Sequence, residues 1–155
     1  MYLPLEEEVE MLRLYIEVEQ LRFEGRFTYE IKIDENLDLS FHEIPSMMIQ
    51  PFVENAILHG FSALKGSSGK LTIQLSLVGE VIHCSVEDNG IGRAESRKIQ
   101  ERKGLEHQSM ALDITENRMN IYQKEFAKEY TLEIIDLFTV NNSPAGTKVL
   151  LTFPI

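Results

Sequence analysis

The sequence predicts an α+β fold: a two-layer sandwich in which a mixed sheet is covered on one face by helices. Three observations lead there. Segments with helical and strand periodicity are only partly interleaved, in the order helix, strand, helix, hairpin, loop, helix, hairpin. The strand candidates alternate apolar and polar residues, as half-buried strands do. The length, 155 residues, suits one domain with a substantial core.

The elements follow in order. Leu5 to Arg22 reads as an amphipathic helix. Pro4 suits its start, Glu6, Glu7 and Glu8 complement its dipole, and Leu5, Val9, Leu12 and Ile16 form one apolar stripe. After Gly25, the alternation Phe27, Tyr29, Ile31, Ile33 marks a strand, and 34–38 is a turn. Pro45 opens a second helix with a wide apolar face of Met48, Ile49, Phe52, Val53, Ala56 and Ile57, and Pro51 falls early enough to be tolerated. Lys65-Gly-Ser-Ser-Gly69 is a flexible connection. Leu71, Ile73, Leu75, Leu77 and then Ile82, Cys84, Val86 flank Gly79-Glu80 as a hairpin. The polar stretch 93–108 reads as a loop or frayed helix. A helix over 109–123 carries Ala111, Ile114, Arg118 and Ile121 along one side, and Leu132, Ile134 and Val149, Leu151, Phe153 mark a final hairpin joined through 141–146.

Composition narrows the function classes. A net charge of −10 argues against nucleic acid or an anionic membrane as the main partner. The single Cys84 excludes a disulfide framework and points to a reducing compartment. No apolar run reaches the length of a membrane span, and no signal peptide is visible. His42, His83 and His107 lack metal-ligand spacing, which argues against zinc.

Two segments carry chemistry. Gln50-Pro-Phe-Val-Glu-Asn-Ala-Ile-Leu-His-Gly60 sets Glu54 and Asn55 in an apolar helix. Asp88-Asn-Gly-Ile-Gly92 follows some thirty residues later, at the end of a strand. Taken alone, Asn55 also reads as a buried polar residue satisfied by backbone, and Asp-Asn-Gly is a common turn. Together, in this order, they resemble the N box and the first glycine box of the Bergerat-type ATP-binding fold shared by sensor histidine kinases, DNA gyrase and MutL. The wording of the first box is most similar to the LytS/YehU-type sensor kinases.

The resemblance implies a set of roles. Asn55 would be the metal-binding residue, its amide oxygen joining triphosphate oxygens and water around Mg²⁺, a hard ion that prefers oxygen. Asp88 would accept from the exocyclic amine of adenine, which excludes guanine. Gly90 and Gly92 would let the backbone approach the ring. Thr147, in the Gly146-Thr147 pair before the last strand, would support Asp88 through water, although the pair also reads as a Gly-closed hairpin. His59 would belong to the nucleotide site, where a packed helix-end histidine is the alternative. Leu112 and Arg118 fit the pattern of the last helix. Ser109-Met-Ala-Leu112 departs from it, because Gly-x-Gly-Leu is usual there and those glycines bring backbone amides to phosphates. Ile114 stands where Asn is common. Lys98, Arg102, Lys103 and His107 could form a phosphate lid, or a solvated polar loop.

Absences fix the expected reaction. Gyrase-like ATPases place a water-orienting acid four residues before the metal-binding Asn, and that position is Pro51, which cannot act as a base. The resemblance therefore implies phosphoryl transfer to a protein histidine rather than hydrolysis. The Pro-His-Phe-Leu-Phe-Asn segment that supplies this histidine does not occur in the chain, so the catalytic residues expected here are none. Residues 1–24 are expected to be the helix following that segment, and 25–155 the ATP-binding domain. The implied cofactors are ATP and Mg²⁺. The implied partners are the histidine-containing segment, a response regulator and, in the full-length protein, a second copy. The implied location is the cytoplasmic side of a membrane-anchored protein. A degenerate nucleotide-sensing or protein-docking module is the alternative.

Overall fold

In a computed structural model, residues 2–61, 64, 69–102 and 108–155 are described, the side chains of 100 and 108–112 excepted. The architecture is α+β, as the sequence predicts. Five strands form a mixed sheet in the order β2 (Phe27–Ile33), β4 (Gly69–Val78), β5 (Val81–Asp88), β7 (Pro144–Pro154), β6 (Thr131–Phe138). Only β2 and β4 run parallel, and the chain crosses between them through helix α2 (Gln50–Asn55). The other pairs are antiparallel, including the expected hairpin turning at Gly79-Glu80.

The strand alternation decides which sheet face is buried. Leu71, Ile73 and Leu75 of β4 pair with Asp88, Val86 and Cys84 of β5, and Ile82, Cys84 and Val86 pair with Phe153, Leu151 and Val149 of β7. All of these are buried, while His83 between them is exposed. Helix α1 (Leu5–Arg22) adds Leu5, Val9, Leu12 and Ile16 to the same core, so its expected apolar stripe is the packed one. Met11, Leu14, Val18 and Leu21 lie exposed on its other side.

Two expectations are corrected, and a third is decided between its alternatives. The second helix begins at Gln50, not Pro45. Pro45 instead ends a short strand β3 (Glu43–Pro45), which pairs with β1 (Tyr2–Pro4), a ribbon with too few residues to show a period. Met47 then takes a left-handed φ of 61°, which stops a helix from starting earlier. Of the two readings of the polar stretch, loop or frayed helix, the helix holds at its start: it forms α3 (Arg93–Arg102), whose Ser96 is buried and donates its N–H to the Gly92 carbonyl at 3.1 Å. Finally, α4 (Gln108–Phe126) buries Thr115 and Met119, whereas Ile114 and Ile121 are 57% and 60% exposed. The core takes the stripe beside the expected one.

Candidate functional site

Asp88 ends β5 opposite Thr147 of β7 and is buried. The position follows from strand period: Ile82, Cys84, Val86 and Asp88 share the core face, so the carboxyl points where an apolar side chain would otherwise go. Burial pushes its pKa up to about 6, although the N–H groups of Gly90 and Thr147 pull it down part of the way. The Gly90 N–H donates to Oδ1 at 2.8 Å. A carboxylate has further lone pairs beyond that one bond, so it keeps acceptor capacity. Next in the turn, the Asn89 carboxamide oxygen accepts from the Lys70 N–H at 2.6 Å and the Asn89 N–H donates to the Lys70 carbonyl at 3.3 Å, which pins the turn to β4.

The two sequence segments meet backbone to backbone. After Asn55 the helix widens into a π-helical turn, Ala56–Phe61, a local expansion often found at functional sites. The Gly60 carbonyl at its end accepts from the Ile91 N–H at 3.1 Å. This approach requires two residues without side chains. A Cβ on Gly90 would stand 2.5 Å from the Gly60 carbonyl oxygen, and one on Gly60 would stand 3.2 Å from Asp88 Oδ1. Gly146 is as constrained: its φ is 118°, and a Cβ there would fall 1.9 Å from the Asp88 carbonyl oxygen. Thus Gly60, Asp88, Gly90, Gly146 and Thr147 form one continuous cluster.

Asn55 closes α2 on the same continuous helix, half-buried, and among the described residues its amide has no hydrogen-bond partner. Glu54 beside it accepts from the Gln50 amide at 3.1 Å. His59 is half-buried in the π-helical turn, and desolvation lowers its pKa, which favours the uncharged imidazole. Gly92 has a φ of 84°, and a Cβ there would stand 3.4 Å from Pro144. Arg93, the next residue, makes a bidentate pair with Asp136 of β6 at 2.8 Å for both bonds, which anchors the exit of the turn.

No family model matches the chain. It is 39% identical over 88 residues to the sensor histidine kinase YpdA of Escherichia coli, covering 57% of this chain and 15% of that protein. It is 40% identical over 93 residues to the sensor protein LytS of Oceanobacillus iheyensis, covering 59% and 15%. A sensor-like histidine kinase of Staphylococcus epidermidis is 29% identical over 152 residues, 97% of this chain and 28% of the relative. The chain is homologous to sensor histidine kinases.

Solved histidine kinase structures share its fold. The mycobacterial sensor histidine kinase MprB superposes with a TM-score of 0.63 at 12% identity, covering 99% of this chain and 96% of that one. The catalytic domain of histidine kinase ThkA gives 0.58 at 16% identity, covering 99% and 94%. This kinase relative spans no more than about a third of the length of the curated relatives it matches.

The far end of the predicted site is less fully described. Leu112 lies on α4, but its side chain, and those of Ser109 and Ala111, fall outside the described residues, as do Lys103, His107 and most of Lys65-Gly-Ser-Ser-Gly69. Lys98 of α3 pairs with Glu95 at 3.3 Å, and Arg102 is exposed. Among the described residues, no three His, Cys, Asp or Glu come together as a metal-binding group, and no helix is long and apolar enough to cross a membrane.

Sequence reasoning missed two residues of the site. Gly60 was legible only as the end of a box, although its contact with Gly90 sets the distance between the boxes. Arg93 read as one more charge in a polar stretch; its partner, 43 residues away, gives no local signal.

Proposed function

We propose that this chain is the catalytic, ATP-binding domain of a two-component sensor histidine kinase, which binds ATP with Mg²⁺ and transfers the γ-phosphoryl group to a histidine outside this chain. The observation that carries the reading is the contact between the two boxes: the Gly60 carbonyl on the Ile91 N–H, beside the buried Asp88 carboxyl. An ordinary Asp-Asn-Gly turn has no need to bury its acid or to exclude Cβ atoms from a helix end.

The residues fit a purine nucleotide and a hard cation. Asp88 offers a desolvated acceptor suited to an exocyclic amine, and mispairing there leaves a buried acceptor unsatisfied. Gly90 and Gly92 keep the adjacent backbone free of side chains. Thr147, paired with Asp88 in the sheet, steadies the carboxyl. Asn55 presents an uncommitted amide oxygen, the kind of single protein ligand Mg²⁺ takes alongside phosphate and water. Bound Mg²⁺ supplies neutralisation of triphosphate charge. His59, whose uncharged form burial favours, is proposed as a hydrogen-bond partner of the nucleotide. By the resemblance, Leu112 is a further proposed nucleotide-binding residue.

The protein's part in the reaction is to hold and orient the nucleotide. Pro51, in the first turn of α2, offers no base to activate water, so transfer to a side chain is favoured over hydrolysis. The histidine-bearing segment, a response regulator and a second copy in the full-length protein are the proposed partners, and the cytoplasmic face of a membrane-anchored protein is the proposed location. One sequence observation favours a second reading, a nucleotide-sensing or docking module without kinase activity: Ser109 and Ala111 stand where glycines usually meet phosphate.

The test is phosphoryl transfer. The chain, mixed or fused with the histidine segment of a LytS-type kinase, is expected to place acid-labile label from γ-labelled ATP on that histidine. Tight nucleotide binding without any label transfer would leave the sensing module standing and remove the kinase.

A further inference from the structure

Asp88, Thr147 and Asp136 lie in one row across three strands. Thr147 of β7 pairs with Asp88 of β5 on one side and with Asp136 of β6 on the other. Residues directly opposite in antiparallel strands put their side chains on one face, so Asp136 shares the face that Asp88 occupies. There its carboxylate meets Arg93, the first residue of α3. The Arg93 Nε–H donates to Oδ1 and the Nη2–H to Oδ2, both at 2.8 Å, the parallel two-bond geometry that suits a guanidinium and a carboxylate. These bonds hold the Asp136 carboxyl below its ordinary value, and the carboxylate in turn raises Arg93.

The pair closes a loop. The chain leaves the sheet at Asp88, and Arg93 returns it to the same row two strands away. Between these points the backbone of the turn is held by the Gly90 N–H on Asp88 Oδ1, the Ile91 N–H on the Gly60 carbonyl and the Ser96 N–H on the Gly92 carbonyl. Side chains tie its two ends: Asn89 ties the entry to β4, and Arg93 ties the exit to β6. The exit is also the strained end, because Gly92 takes a left-handed φ of 84° with Pro144 of β7 close beside it. The Arg93 and Asp136 side chains are 40% and 43% exposed, and an ion pair so exposed contributes little to overall stability. What a pair in this place changes is the local geometry of the turn.

We propose that Arg93 and Asp136 are a positioning pair for the nucleotide: they fix the exit of the glycine turn, and with it the backbone of residues 90–92 that flanks the base beside Asp88. Neither side chain contacts the ligand; both act through the turn. The inference rests on the reading of Asp88 as the adenine-binding acid.

The test is a double-mutant cycle: Arg93→Ala, Asp136→Ala and both together. Three readouts are taken: melting temperature, amide hydrogen exchange at Gly90 and Ile91, and MgATP affinity by calorimetry. Each single variant is expected to melt within about 3 °C of wild type. Exchange at the two amides is expected to rise, and MgATP affinity to fall, by about tenfold each. The double variant is expected to match the single ones within about twofold, because either change already removes the whole contact. Unchanged exchange and affinity in the single variants would overturn the proposal, as would losses that add in the double variant. An affinity loss in Arg93→Ala that Asp136→Ala does not share would overturn it too, because it marks a direct contact of Arg93 with the ligand. Should the wild-type protein bind no nucleotide, the reading of Asp88 fails, and exchange at Gly90 and Ile91 still decides whether the pair holds the turn.

Discussion

Asp88, the proposed adenine-binding acid, shows how such a role opposes stability. Its folded pKa of about 6 lies above the ordinary 3.8, so its stability contribution is fully present below the unfolded value and is lost as pH rises toward 6 and beyond. At neutral pH the ionised, buried carboxylate therefore destabilises the fold, by no more than about 3 kcal/mol for a shift of roughly two units. Asp88→Asn is expected to melt higher than wild type at pH 7.5, with the advantage gone by pH 4, and to lose ATP binding. Melting curves across that range check it. In the wild-type protein, ATP affinity is expected to weaken as pH falls through 6, because the protonated acid accepts less well from an amine; titrations at pH 5, 6 and 7.5 measure this. Gly90 gives a steric test. Alanine there places a Cβ 2.5 Å from the Gly60 carbonyl oxygen. An overpacking loss of about 1–3 kcal/mol in denaturant unfolding is expected, with nucleotide binding impaired beyond what lost stability explains. The motifs made Asn55, Asp88 and the glycines legible in the sequence. Arg93 was not, because charges in a polar stretch look alike until packing pairs one of them.

At the scale of elements, legibility followed the strength of the local period. The strands β2, β4, β5 and β7 and helix α1 alternate or repeat cleanly, and the structure has them where the sequence puts them. The failures have physical causes. The β1–β3 ribbon depends on pairing across 40 residues. Helix α3 is too polar for an apolar stripe to announce it, and Arg93–Asp136 and the Ser96–Gly92 bond at its start are tertiary features. Helix α4 holds two candidate apolar stripes, and only tertiary packing, including its contact with α2, selects between them. Substitution separates them: Met119→Ala is expected to cost about 2–5 kcal/mol, and Ile121→Ala to stay within about 0.5 kcal/mol of wild type, both by denaturant unfolding. Equal effects would contradict the burial described for α4.

For the whole molecule, the arrangement gathers the candidate site at one edge of the core, where the end of β5 meets β7 and the helix end at Gly60. The acid comes from the end of β5, the glycine and threonine beside it from β7, and the amide from a helix that crosses between β2 and β4. The elements that carry these pieces pack into one core. The chain spans 15% of YpdA and of LytS, and the solved structures that share its fold are histidine kinases. The central claim is that this cluster recognises ATP through Asp88 and engages Mg²⁺ through Asn55. Calorimetric titration with ATP and GTP, with and without Mg²⁺, tests it most directly on the wild-type chain beside Asp88→Asn and Asn55→Ala. The account predicts binding of ATP over GTP, loss of that binding in Asp88→Asn, and loss of its Mg²⁺ dependence in Asn55→Ala. ATP binding that is indifferent to Asp88→Asn, or no binding at millimolar ATP, would contradict it.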